Sequence, residues 1–217
     1  MSTAFLIVTL ASQPTTAEIN GKESLEAYAA TCGREPTQLL LQCYASTTLG
    51  GLFATKNADD LIIVSGDLLL DADGNTPRVI MRAMCNGHPD QYLNEVNVVG
   101  RLTGDVRLAE SNKSCSRSLA VNRYTNNEEH TDWFQVRGFG YAKDRLEGAP
   151  KGALVSVSGI LDQRTNREGK TYPEIKARTV KIHGKPRDTS ATDPSGGKAA
   201  GYSQADFDGK DCPIDWS

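Results

Sequence analysis

Residues 131–139, with the sequence TDWFQVRGF, carry aromatic, cationic and amide side chains at a spacing of two. Alternate residues of a β-strand point to the same face, so a strand here would place Trp133, Gln135, Arg137 and Phe139 together. Aromatic rings on a solvated face are disfavoured by hydrophobic burial and indicate a binding surface. Such rings stack on nucleotide bases, and guanidinium groups neutralise phosphates. The spacing therefore predicts a stacking surface for an unpaired nucleic-acid strand.

Further cationic and aromatic residues flank this predicted surface in neighbouring segments. Together with Trp133, Arg137 and Phe139, the residues that we expect to bind nucleic acid are Arg101, Arg107, Arg123, Tyr124, Arg164, Arg167, Lys170 and Tyr172. The alternative interpretation is that Trp133 or Phe139 packs at the end of a domain or in a subunit contact. Phe134 and Val136 point the other way and suit a domain interior, which favours the first interpretation.

Charge is distributed unevenly along the 217 residues, although the net charge is only −3. Residues 1–92 carry a net charge of −5, residues 93–187 carry +6 and residues 188–217 carry −4. A polyanion is attracted to the middle segment and repelled by both ends. The distribution therefore favours nucleic-acid binding by the segment that also holds the stacking pattern.

No catalytic or metal-binding constellation is evident in the sequence. His88, His130 and His183 lie far apart, and we interpret them as surface or edge residues. The sequence has no glycine-rich phosphate loop, no nucleophile elbow and no carboxylate cluster with metal spacing. The five cysteines show no Cys-x-x-Cys pair, so we expect reduced thiols and no zinc site. We predict neither enzymatic activity nor a cofactor or metal.

The first residues, MSTAFLIVTLAS, form a short apolar run without the basic segment that begins a secretory signal. No apolar stretch approaches the roughly 20 residues that span a bilayer. We therefore expect a cytoplasmic, nucleoid-associated protein without membrane contact.

Two halves of the chain resemble each other at an offset of 92 to 96 positions. Residues 61–68 (LIIVSGDL) match residues 154–161 (LVSVSGIL), and residues 5–10 (FLIVTL) match residues 97–102 (NVVGRL). A repeat of this length indicates a duplicated structural unit. The sequence predicts a first domain over residues 1–90, a second over residues 93–185 and a tail over residues 186–217.

The second copy shows alternating or β-branched runs that are typical of strands, near residues 95–103, 116–124, 131–139, 152–162 and 173–183. A short helix is expected over residues 141–146, between the third and fourth strands. This is the element order of an oligonucleotide/oligosaccharide-binding (OB) barrel. In the first copy residues 23–31 fit either a strand or a helix, and strands are expected near residues 3–11, 38–45, 60–71 and 77–85. The predicted fold is all-β, with two tandem five-stranded OB barrels that each hold a short helix.

The composition changes after the second copy. Residues 188–204 are rich in Gly, Ser, Thr, Ala and Asp and have almost no large apolar side chain, so we expect disorder there. The last residues, ADFDGKDCPIDWS, interleave acidic and apolar side chains. One explanation for their aromatic rings is packing against the rest of this protein.

Three stretches of the second copy together resemble the bacterial single-stranded-DNA-binding protein family. They are NEVNVVGRLTGDVRL, DWFQVRGFGYAKDRLEGAPKGALVSVSGIL and REGKTYPEIKARTV, between residues 94 and 180. The resemblance implies that Trp133 and Phe139 are stacking aromatics and that Tyr124 lies near a third such position. The hairpin around Gln163 and Arg164, where the family commonly has a fourth aromatic residue, has none here.

The same resemblance implies that the acidic tail docks partner proteins of replication and repair. The residues that it assigns to partner binding are Asp206, Phe207, Asp208, Asp211, Pro213, Ile214, Asp215 and Trp216. The chain departs from the family's Ile-Pro-Phe-like ending, because its last four residues are Ile-Asp-Trp-Ser.

The first copy differs from the second in charge and in aromatic content. On its third predicted strand only Tyr44 is able to stack, and the net charge of this half is negative. We therefore expect a degenerate, mainly architectural barrel that pairs with the second. Family members usually assemble four barrels, so the resemblance implies a homodimer of this two-barrel chain.

The leading hypothesis is a protein that binds and protects single-stranded DNA, independently of sequence, in replication, recombination or repair. An accessory subunit that binds proteins through its barrels, with weak or no DNA binding, is the alternative. Single-stranded RNA binding also stays open, because stacking platforms accept both nucleic acids.

Overall fold

The computed structural model describes residues 2–33, 35–71, 76–125, 128–165 and 169–184. In the first half its elements are β1 (Ser2–Leu10), β2 (Thr15–Ile19), β3 (Lys22–Thr31), β4 (Gln38–Tyr44), α1 (Thr48–Phe53), β5 (Leu61–Leu70) and β6 (Pro77–Asn86). In the second half they are β7 (Asn94–Leu108), β8 (Ser114–Thr125), β9 (Glu128–Phe139), α2 (Gly140–Gly148), β10 (Leu154–Thr165) and β11 (Thr171–Gly184).

Strand pairing closes a five-stranded barrel in each half. In the second half β7 pairs antiparallel with β8 and β10, β8 pairs with β9, and β10 pairs with β11. The parallel pair of β9 and β11 completes the ring. In the first half β1, β3, β4, β6 and β5 repeat this order, with β4 and β6 as the parallel pair. Counted in chain order, the five strands of each barrel have the helix between the third and the fourth. Both barrels are therefore OB folds, as predicted.

Alternation along the strands fills the barrel interiors. On β5 every second residue from Ile62 to Leu70 is buried, and on β10 Val155 and Val157 point inward in the same way. Burial of each large aliphatic side chain stabilises the fold by about 1.5–3 kcal/mol relative to exposure. A single apolar face per strand thus specifies which side faces the core.

Residues 23–31, whose sequence fits either a strand or a helix, form most of β3. This strand pairs with β4 from Ser24 to Ala30 and with β1 near its end. Ala and Glu favour helices by only tenths of a kcal/mol each, so pairing on both edges decides the structure. The hairpin strand β2, which sequence patterning did not reveal, pairs with β3 and buries only Ile19.

The shared Val-Ser-Gly of the two copies marks the same irregularity in each barrel. A register shift lies between Ser65 and Gly66 on β5 and between Ser158 and Gly159 on β10. A Cβ atom on either glycine would lie 2.2 Å from a carbonyl oxygen of the neighbouring strand. Only glycine therefore fits this bulge, which bends β5 in the first barrel and β10 in the second.

The two barrels are joined through their first strands. Strand β1 pairs antiparallel with β7, with Thr3 opposite Asn97 and Phe5 opposite Glu95. This pairing continues one hydrogen-bonded sheet from one barrel into the other. The position of the second barrel relative to the first is therefore fixed by backbone hydrogen bonds.

The thiols and the helices of the described ranges have simple settings. The four cysteines located there are free, and burial raises the pKa of the Cys43 thiol to about 11. No group of three or more His, Cys, Asp or Glu in these ranges could hold a metal ion. Neither of the two short helices is long and apolar enough to cross a membrane.

Candidate nucleic-acid interface

The outer face of β9 presents two aromatic rings separated by a guanidinium group. Trp133 is 56% exposed and Phe139 is 47% exposed, whereas Phe134 and Val136 between them are buried. The guanidinium carbon of Arg137 lies 5.7 Å from the centre of the Phe139 ring. An aromatic ring attracts a cation at this distance, so the side chains of Arg137 and Phe139 stay close to each other. The face therefore offers two surfaces for stacking on either side of a positive charge.

A groove runs beside this face; we call it the β9 groove. It is lined by β9, β11, the start of β8 and the ends of β7 and β10. It brings together six of the predicted binding residues, namely Arg107, Trp133, Arg137, Arg164, Lys170 and Tyr172. Four of these are cations, and among the described residues of the groove wall Glu174 is the acidic one. Residues from four strands thus converge on one basic surface next to an exposed indole.

Glu174 is a buried carboxylate within this basic surface. Its side chain is 2% exposed, and its oxygens lie 3.5 Å from Nη1 of Arg137 and 3.8 Å from Nη1 of Arg164. Burial raises the pKa of Glu174, and the two nearby guanidinium groups oppose that shift. The neighbouring carboxylate of Asp162 forms an ion pair with Lys176. The wall of the β9 groove therefore holds a buried carboxylate between two guanidinium groups, and the Asp162–Lys176 pair is not part of its lining.

Arg123 and Tyr124 lie in a different place, at the joint between the barrels. With Tyr44 and Arg78 of the first barrel they line a second groove, which we call the inter-barrel groove. Tyr124 is 71% exposed, and Arg123 forms an ion pair of 2.9 Å with Asp132. The Lys22 ammonium stands 5.8 Å from the centre of the Tyr44 ring. The only stacking residue expected in the first copy thus shares a groove with Tyr124.

Of the predicted residues that the structure describes, Phe139 and Arg101 line neither groove. Arg101, on β7, donates a hydrogen bond of 2.8 Å from Nη1 to the carbonyl oxygen of Gly152. Arg167 lies outside the described residues, as does the whole predicted partner-binding tail.

Two buried charged residues of the second barrel, Glu174 in the groove and Arg117 under α2, were not singled out by sequence reasoning. Glu174 was inconspicuous because its burial depends on arginines from two other strands. Arg117 is 3% exposed and donates hydrogen bonds to the carbonyl oxygens of Leu146, Ala149 and Gly104. It therefore ties β8 to the end of α2 and to the irregularity at Gly104 within β7. The only signal was an arginine at an inward position of β8, between Cys115 and Leu119.

The fold and this surface define a class: a two-barrel OB protein whose second barrel carries exposed aromatic rings on its third strand. The model of the single-strand binding protein family matches residues 93–183. A single-stranded DNA-binding protein of Aquifex aeolicus is 33% identical, over 44% of this chain and 73% of that protein. The chain therefore belongs to the single-strand binding protein family.

Two solved structures share the fold over both barrels. The wild-type single-stranded DNA binding protein from Thermus aquaticus is 18% identical, with a TM-score of 0.62, over 85% of this chain and 94% of that chain. A deletion mutant of the Thermus protein is 17% identical, with a TM-score of 0.61, over 87% of this chain and 98% of that chain. The likeness to these two structures is one of fold.

Proposed function

We propose that this protein binds single-stranded DNA independently of base sequence and protects exposed strands in replication, recombination or repair. The observation that carries the proposal is the outer face of β9, where Trp133 and Phe139 are exposed on either side of Arg137. The match of the second barrel to the single-strand binding protein family and the name of the Aquifex relative support it.

In the proposed mechanism the aromatic rings bind the bases and the cations bind the phosphates. Bases stack on Trp133 and Phe139, and every base has a π-face, so stacking does not select a sequence. Arg107, Arg137, Arg164 and Lys170 of the β9 groove meet the phosphates and release their counterions. A duplex hides its base faces and is a poor ligand for such a surface.

The proposal is tested by titrating the full chain with fluorescent oligo-dT over a range of salt concentrations. Four cations at about 0.7 each predict a slope of about −3 in log K against log [salt]. We expect duplex DNA of the same length to compete weakly. Equal competition by duplex, or absence of oligo-dT binding at low salt, would contradict the proposal. Stronger competition by oligo-rU would indicate RNA as the ligand.

The two barrels have different proposed roles. We assign strand binding mainly to residues 93–185, because the β9 groove belongs to that barrel, and a mainly architectural role to residues 1–90. The shared sheet through β1 and β7 supports the architectural role.

The acidic tail over residues 186–217 is proposed to recruit replication and repair proteins and to compete for the basic groove. Truncation after Arg187 is then expected to tighten oligo-dT binding, and weaker binding would contradict the competition.

We also propose that the chain forms a homodimer with four barrels. The outer face of the paired strands β1 and β7 exposes Phe5, at 46%, and Val99, at 39%. Exposed apolar side chains on one face of a sheet suit burial against a second copy. Light scattering is expected to give twice the mass of one chain, and a monomer mass at micromolar concentration would contradict the dimer.

A further inference from the structure

We infer that Glu174 is a positioning residue of the β9 groove, which holds Arg137 and Arg164 in the orientation that meets the phosphates of a bound strand. The inference rests on the proposed function, because it assigns a role inside the same groove. Glu174 does not touch the strand itself and acts through the two arginines.

The geometry places one carboxylate between two cations from different strands. Glu174 leaves β11 with Gln135 of β9 and Asp162 of β10 as its register neighbours. Its side chain is 2% exposed, whereas those of Arg137 and Arg164 are 22% and 40% exposed. The carboxylate therefore lies under two more accessible guanidinium groups, which approach it from β9 and β10.

These three side chains depend on one another. A buried carboxylate is unfavourable unless cations or donors compensate it, and Oε2 of Glu174 accepts no hydrogen bond from the described residues. The two guanidinium groups supply the compensation at 3.5 and 3.8 Å. In return, the carboxylate restrains two long side chains that would otherwise sample many rotamers.

A restrained guanidinium group is well suited to bind a phosphate. Each arginine has five N–H donors in a planar fork, so it can direct one edge at Glu174 and another at the groove. Fixing the side chain in advance also reduces the entropy that is lost when a ligand binds. The trio keeps a net charge of +1, so it still attracts a polyanion.

The other charged groups around the trio do not replace Glu174. Asp162 forms an ion pair with Lys176, and Glu35, from the segment between β3 and β4, is exposed where it lines the outer side of the same cluster. Asp162 is 5% exposed, so it is a second buried carboxylate of nearly the same setting. It provides the matched control.

The test compares Glu174→Gln with Asp162→Asn in oligo-dT titrations of the full chain across salt concentrations. Glu174→Gln retains the shape but removes the charge, and we expect about fivefold weaker binding at moderate salt. The salt slope should become shallower by about 1, because one or two phosphate contacts at about 0.7 each are lost. Asp162→Asn is expected to bind within about twofold of the wild type with an unchanged slope. In an Arg137→Ala, Arg164→Ala background Glu174→Gln should no longer weaken binding, because that effect passes through these arginines.

Each outcome has a distinct meaning. If Glu174→Gln binds as tightly as the wild type or more tightly, with an unchanged or steeper slope, the carboxylate only repels phosphate and the inference is wrong. The proposed function stands in that case, because the wild type still binds. Wild-type protein that fails to bind oligo-dT overturns both. If Glu174→Gln does not fold, Glu174→Asp takes its place: the shorter side chain keeps the charge but withdraws it from the arginines, so a shallower slope supports the inference and a wild-type slope overturns it.

Discussion

Replacement of Trp133 by alanine is expected to weaken oligo-dT binding about thirtyfold. Stacking of a base on an aromatic side chain stabilises a complex by roughly 1–3 kcal/mol, and about 2 kcal/mol corresponds to that factor. The indole is 56% exposed and lies in the wall of the β9 groove, so a bound base can reach its face. Fluorescence anisotropy with labelled oligo-dT measures the change.

The matched control for this substitution is Tyr28→Ala. Tyr28 is 59% exposed on β3 of the first barrel and lines neither groove. Loss of this ring should leave the affinity within about twofold. Equal weakening by the two substitutions would mean that the β9 face is not the binding surface. Because Trp133 is exposed, the thermal midpoint of Trp133→Ala should stay close to that of the wild type.

Replacement of Arg117 by alanine is expected to lower the free energy of unfolding by about 3 kcal/mol. A hydrogen bond to a charged donor contributes roughly 1.5–3 kcal/mol, and Arg117 makes three such bonds to carbonyl oxygens in the barrel end. Two of its acceptors lie at the end of α2, where a cation also interacts favourably with the helix dipole. Guanidinium denaturation of the variant and the wild type measures the difference.

Two further variants separate the charge of Arg117 from its bulk. Arg117→Met keeps the apolar stem and loses the donors, so most of the destabilisation should persist. Arg107→Ala removes an exposed arginine from β7, which forms the same barrel, and should change stability by less than about 0.5 kcal/mol. If Arg117→Met is as stable as the wild type, packing and not hydrogen bonding explains the burial of this arginine.

The fold of this chain was predictable because its signals are local. Alternation along single strands revealed nine strands. The helix of the second barrel was expected in the segment between its third and fourth strands. The repeated Val-Ser-Gly is enough to align the two copies with each other. Strand β2 escaped because its five residues bury only Ile19, so no alternation is visible. The segment at 23–31 stayed ambiguous because its strand character comes from pairing with β4 and β1, which are separate in sequence.

The candidate site was predictable to a smaller extent. The outward face of β9 follows from a spacing of two, so Trp133, Arg137 and Phe139 could be placed on it from the sequence. Burial of Glu174 arises from side chains 37 and 10 positions earlier in the chain, and no local pattern contains that relation. Strand spacing alone does not reveal such a contact.

The inter-barrel groove is also invisible to local sequence patterns, because it depends on how the two barrels pair. Tyr44 and Tyr124 are 80 positions apart and meet because β1 pairs with β7, which places the β8–β9 hairpin beside the first barrel. Charge and aromatic content suggested separate roles for the two barrels. The pairing register, which those quantities do not encode, brings their aromatic residues to one groove.

The most direct test of the account is the fluorescence of Trp133 itself during a titration with unlabelled oligo-dT. The chain has two tryptophans, so Trp216→Phe leaves Trp133 as the single tryptophan, which is excited selectively over the tyrosines at long wavelength. A base that stacks on the indole quenches its emission, so we expect saturable quenching that is reversed by added salt. Binding that is detected by anisotropy while the emission of Trp133 stays unchanged would contradict stacking on β9, and with it the proposed interface.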